Sequence, residues 1–99
     1  MTTRILKFTL HEHGSRILEM PRRAGVLHVG DQSGALQMWA QCEESEHVEP
    51  RLFAVLYTGF DEVPENAEYL GTVISYGGNI VRHVYEVMEM GSGEKESEA

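Results

Sequence analysis

The 99-residue chain holds one cysteine, Cys42. No intrachain disulfide can form, and a cysteine-rich zinc site within one chain is excluded. No apolar run approaches the roughly 18 residues that read as a membrane-spanning helix, and Met-Thr-Thr-Arg leads straight into a short amphipathic run with no signal-type apolar region. The expectation is a soluble, cytoplasmic protein. Basic residues are also scarce, with eight Lys and Arg against sixteen Asp and Glu. Sequence-independent nucleic-acid binding needs a clustered basic footprint and is disfavoured. No Gly-x-Ser-x-Gly elbow occurs, and no Gly-rich loop leads into a helix to cradle phosphate. The serines fall in turns or the tail except Ser75, which reads as an outward strand residue. These absences predict a protein that is not an enzyme and carries no cofactor.

The formal charge of −8 is unevenly placed. From Glu86 onward five glutamates stand against Lys95, a net of −4 and half of the total. The rest gathers partly in Glu43-Glu44-Ser45-Glu46 and Asp61-Glu62, where carboxylates keep a small protein soluble. Residues 91–99, Gly-Ser-Gly-Glu-Lys-Glu-Ser-Glu-Ala, have no side chain able to anchor them and read as a flexible acidic tail. Residues 1–90 read as a single β-rich domain.

Two apolar runs, Val26 to Gln32 and Ala35 to Gln41, flank Ser33-Gly34 and predict a hairpin. A two-residue turn sets Val29 against Met38, Leu27 against Ala40 and Gly25 against Cys42, with His28 beside Trp39 and Gly30 beside Gln37 on the other face. Other strands are expected over Thr3 to Leu10, Arg16 to Met20, Arg51 to Thr58, Tyr69 to Tyr76 and Ile80 to Val87. Arg51 to Thr58 is apolar on both sides and should be central. A turn of helix could fall within Glu43 to Pro50 or at Pro64 to Glu68. The Gly77-Gly78-Asn79 turn leaves two registers open, Ile74 opposite Val81 or opposite His83. Seven short strands with short loops predict an all-β fold, a small antiparallel sandwich or barrel.

The candidate ligand-binding residues are Trp39 and His28 on the polar face of the hairpin, the Arg22-Arg23 pair, Tyr57 and Thr58, and Arg82 with His83. Ring faces stack on bases or side chains, and guanidinium supplies directed donors to phosphate or carboxylate. His11 and His13 share one side if extended but need a third ligand from elsewhere in the fold, so no metal site is expected.

In order, Glu19-Met20-Pro21, Ala24-Gly25-Val26-Leu27-His28-Val29, Trp39-Ala40, Arg51-Leu52-Phe53-Ala54-Val55, Thr58-Gly59, Tyr69-Leu70-Gly71-Thr72, Gly77-Gly78 and His83-Val84-Tyr85-Glu86 resemble a family of small uncharacterised bacteriophage and prophage proteins. The resemblance spans most of residues 3–86. It implies a phage accessory protein acting in the host cytoplasm, and small phage proteins of this kind often counter host defence by binding. The expected function is a homo-oligomeric binding protein that sequesters a small anionic, nucleotide-type signal. The alternatives are an acidic inhibitor bound directly to a host defence protein, or a structural or accessory component of the phage.

Overall fold

The computed structural model describes residues 2–43 and 47–88. Seven strands form in chain order: β1 (Thr3–Thr9), β2 (Gly14–Pro21), β3 (Gly25–Gln32), β4 (Ala35–Glu43), β5 (Val48–Tyr57), β6 (Ala67–Ser75) and β7 (Ile80–Val87). All pairings are antiparallel. They make a three-stranded sheet ordered β1-β4-β3 and a four-stranded sheet ordered β2-β5-β7-β6. The fold is the expected all-β sandwich. Among the described residues no helix is long and apolar enough to cross a membrane.

Alternation sorts each strand between the interior and an outer face. Leu36, Met38, Ala40 and Cys42 of β4 point inward and meet Met20, Phe53, Val55, Val73 and Val84 from the other sheet. β5 lies between β2 and β7, as its apolar residues on both sides predict. Edge strands β3 and β6 run against each other where the sheets meet. Gly71 makes this possible, because a Cβ there would lie 2.6 Å from Val29 Cγ2. Side chains elsewhere hold packed sheets about 10 Å apart.

The central hairpin turns through Ser33 and Gly34, both at positive φ, which is the type I′ conformation that matches strand twist. The Asp31 carboxylate accepts a hydrogen bond from the Gly34 N–H at 3.0 Å. His28 faces Trp39, Val29 faces Met38 and Gly30 faces Gln37, as expected. Leu27 does not face Ala40. A bulge at Leu27 inserts one extra residue, so Val26 takes the place opposite Ala40 and Gly25 faces Gln41 rather than Cys42. The second hairpin sets Ile74 opposite Val81, which resolves its two open registers.

The helical turn falls elsewhere than expected. A single 3₁₀ turn covers Tyr76–Gly78. At Pro64 to Glu68 the backbone instead makes a tight turn with Asn66 at positive φ, and β6 starts at Ala67. The expected loop from Glu43 to Pro50 is shorter, since Val48 to Pro50 already pair with β2. Residues 44–46 and the acidic tail over 91–99 lie outside the described residues.

Candidate functional site

The outer face of the three-stranded sheet is polar and carries the only tryptophan. Thr3, Ile5, Lys7 and Thr9 of β1 stand opposite Glu43, Gln41, Trp39 and Gln37 of β4. On the other flank of β4, His28 and Gly30 stand opposite Trp39 and Gln37. Trp39 is half-buried and turned away from the core, between His28 and Lys7. Its ring lies 5.9 Å from that of His28, tilted by 32°. Both rings lean over Gly30, where a Cβ would come within 3.1 Å of His28 Nε2 and 3.6 Å of Trp39 Cζ3. Gln37 is buried and its side-chain oxygen accepts from the Thr9 hydroxyl at 2.9 Å. Lys7 reaches across the face to donate to Gln32 Oε1 at 2.7 Å.

Following Trp39 along β4, Gln41 and Glu43 run into an open cleft of about 680 Å³ whose walls include Thr3, Arg23, Leu27 and Cys42. The bulged Leu27 lies at this end and lines the cleft. Thr3 Oγ1 donates to Glu43 Oε2 at 3.4 Å, while Glu43 Oε1 is buried with no partner among the described residues. Cys42 is buried, which pushes its thiol up, and its Sγ donates to the Ala40 carbonyl at 3.6 Å.

The other expected residues separate. Tyr57, Thr58 and His83 meet on the four-stranded sheet, beside a cleft of about 250 Å³ that also involves Tyr85 and Asp61. His83 Nε2 contacts the Thr58 hydroxyl at 2.6 Å and Nδ1 the Thr72 hydroxyl at 2.9 Å, and Tyr69 OH reaches Thr72 at 2.6 Å. Tyr57 stacks on His13 with ring centroids 4.5 Å apart, and His13 Nε2 meets Asp61 Oδ2 at 2.7 Å. His11 turns to a different neighbour, its Nδ1 accepting from Arg16 at 3.2 Å. Among the described residues no group of three His, Cys, Asp or Glu could hold a metal ion.

Arg82 is a correction, because it is 2% exposed and points inward. Adjacent strand residues face opposite ways, so Arg82 and His83 cannot share a surface. Its Nη2 donates to Ser75 Oγ at 3.0 Å, which places Ser75 inward as well rather than outward. Arg22 is exposed and its N–H donates to the His47 carbonyl, away from the wall that Arg23 forms.

One family model, described as a domain of unknown function (DUF7352), matches residues 1–94. The chain belongs to this family. No curated protein and no solved structure matches the chain. In this DUF7352 protein the sequence had already paired Trp39 with His28. It did not expose Lys7 as a neighbour of that pair, because the contact of β1 with β4 joins segments some thirty residues apart. The one local signal was the alternation that put Lys7 on the polar side of its strand.

Proposed function

We propose that this protein is a non-catalytic binding protein of phage or prophage origin that sequesters a small anionic, nucleotide-type ligand and thereby blunts a host defence signal. One arrangement carries the reading: the lone tryptophan stands outward between His28 and Lys7, and its strand leads on into the cleft walled by Arg23 and Glu43. A base stacks on the Trp39 ring, a contact worth about 1–3 kcal/mol in nucleic-acid binding. Lys7 and Arg23 supply positive charge for phosphate. The phage and anti-defence parts of the reading draw on the ordered motifs described above.

Because Trp39 is the only tryptophan, its fluorescence reports on this face alone. Titration with cyclic and ADP-ribose-type nucleotides, followed by fluorescence and by calorimetry, is expected to give quenching and heat with at least one of them. Trp39→Ala should weaken that binding by about ten-fold or more. No heat and no quenching with any of these nucleotides, at protein concentrations above tens of micromolar, overturns the reading.

A further inference from the structure

The outer face of the four-stranded sheet is built differently from its counterpart. Its cross-strand rows read Ile17, Leu52, Val87, Ala67, then Ser15, Ala54, Tyr85, Tyr69, then Leu56, His83, Thr72, then Val81, Ile74. These rows hold no Asp, Glu, Lys or Arg, and Glu19, opposite Pro50, stands at the corner beyond the first of them. An outward sheet face in a sandwich ordinarily alternates to polar residues. Here Ile17, Tyr69 and Ile74 are 61%, 55% and 63% exposed.

We infer that this face is where a second copy of the chain docks, two four-stranded sheets packing face to face about a two-fold axis. Area is the first argument. Four strands of about eight residues, spaced about 4.8 Å apart with a rise of about 3.3 Å, cover roughly 500 Å² in projection and more once side chains corrugate the surface. That approaches the roughly 800 Å² that each partner buries in a standard interface, and matches the largest apolar patches found on monomers, which are often functional.

Polarity is the second argument. The polar atoms in the middle of the face are already bonded to one another through the Thr58, His83, Thr72 and Tyr69 chain. They can leave water without being orphaned and ask for no polar complement. Charge is the third. The chain carries −8, yet the strand rows of this face hold none of it, and the loop carboxylate Asp61 in the cleft beside His83 and Tyr85 is engaged by His13, so the face is not shaped to recognise a basic protein. An uncharged apolar partner is required, and a two-fold axis supplies one from the same surface. Over residues 89–99 the sequence offers a single large apolar side chain, Met90, too little to complement an apolar face.

Sedimentation velocity or light scattering across a concentration series tests the inference on the full chain. The expected mass is twice 11.2 kDa. Ile17→Lys and Ile74→Lys each place a charge in the interface twice over, and each should raise the dimer dissociation constant by at least ten-fold. Trp39→Ala, on the opposite sheet, should leave it unchanged. Both lysine positions are exposed in the single chain, so the variants should keep the wild-type far-ultraviolet circular dichroism and urea midpoint. A wild-type protein that stays at 11.2 kDa at every concentration overturns the inference and leaves the face to a different macromolecule. A dimer that both lysine variants leave intact overturns it too, and moves the contact to another surface.

Discussion

Arg51 holds Glu86 through two parallel hydrogen bonds, Nε to Oε2 and Nη2 to Oε1, each at 2.8 Å. The third arm of the guanidinium donates to the Ala24 carbonyl at 2.7 Å, and the group lies over the Phe53 ring. The pair is largely buried, with side chains 16% and 11% exposed. Glu86 holds the Arg51 guanidinium still more firmly protonated than usual, chiefly through its hydrogen bonds. Removing one partner leaves a desolvated charge behind. Glu86→Ala is therefore expected to cost roughly 3 kcal/mol, read as a lower urea midpoint. Replacing both partners, as Arg51→Met with Glu86→Leu, should recover most of that loss.

Gly71 carries the approach of β6 to β3. Its φ is not in the left-handed region that favours glycine, so the demand is one of space, set by Val29 Cγ2 at 2.6 Å from the missing Cβ. Gly71→Ala should destabilise the fold by about 1–3 kcal/mol through overpacking. Trimming the opposing side chain makes room, so Val29→Ala in the same chain should give a double mutant more stable than the sum of the two single losses predicts. Additive losses in denaturant titration would mean that the two residues do not press on each other.

What the sequence disclosed and what it hid divide along one line. Period-two alternation located the strands, and Ser33-Gly34 set the first hairpin, so His28 beside Trp39 was legible from adjacent chain. The bulge at Leu27 was not, because nothing local marks an extra residue in Gly25-Val26-Leu27-His28. Glu86 counted with the acidic tail when charges were summed along the chain, yet it is a buried partner of Arg51, thirty-five positions away. Partnerships at that range belong to sheet order, which alternation does not encode. Arg82 was different: alternation along β7 sets it and His83 on opposite faces, which the expectation of a shared binding surface overlooked. Which of the two turns inward is settled only by the packing, where Arg82 is the buried one.

Asp61 gives the fold a defined response to acid. The Tyr57 N–H donates to its Oδ2 at 2.8 Å and His13 meets the same oxygen, which together hold its carboxyl below the ordinary value of 3.8. A carboxyl depressed in the folded state contributes stability that is present above its unfolded value and is lost as pH falls through the folded one. Asp31 behaves alike, held down first by Ser75 and then by the Gly34 N–H. Urea midpoints measured against pH should fall below about pH 4. Asp61→Asn should flatten part of that slope and Asp31→Asn another part. An unchanged slope in both variants would place the acid response on other groups.

Arg82 offers the sharpest contrast between removing a charge and stranding one. Its guanidinium is interior, with Ser75 Oγ at 3.0 Å as a partner and Nε bonded to nothing among the described residues. Asp31 acts on it only from a distance, as the weakest influence on that aspartate's own titration. A buried charge so thinly compensated contributes little net stability, and an apolar side chain of similar length fills the same volume without the desolvation cost. Arg82→Met is accordingly expected to be neutral or stabilising. Ser75→Ala removes the hydroxyl while leaving the charge in place, and should cost about 1–3 kcal/mol because it orphans another donor. If chemical denaturation instead shows the methionine variant losing more than the alanine variant, the guanidinium has a compensating partner stronger than Ser75.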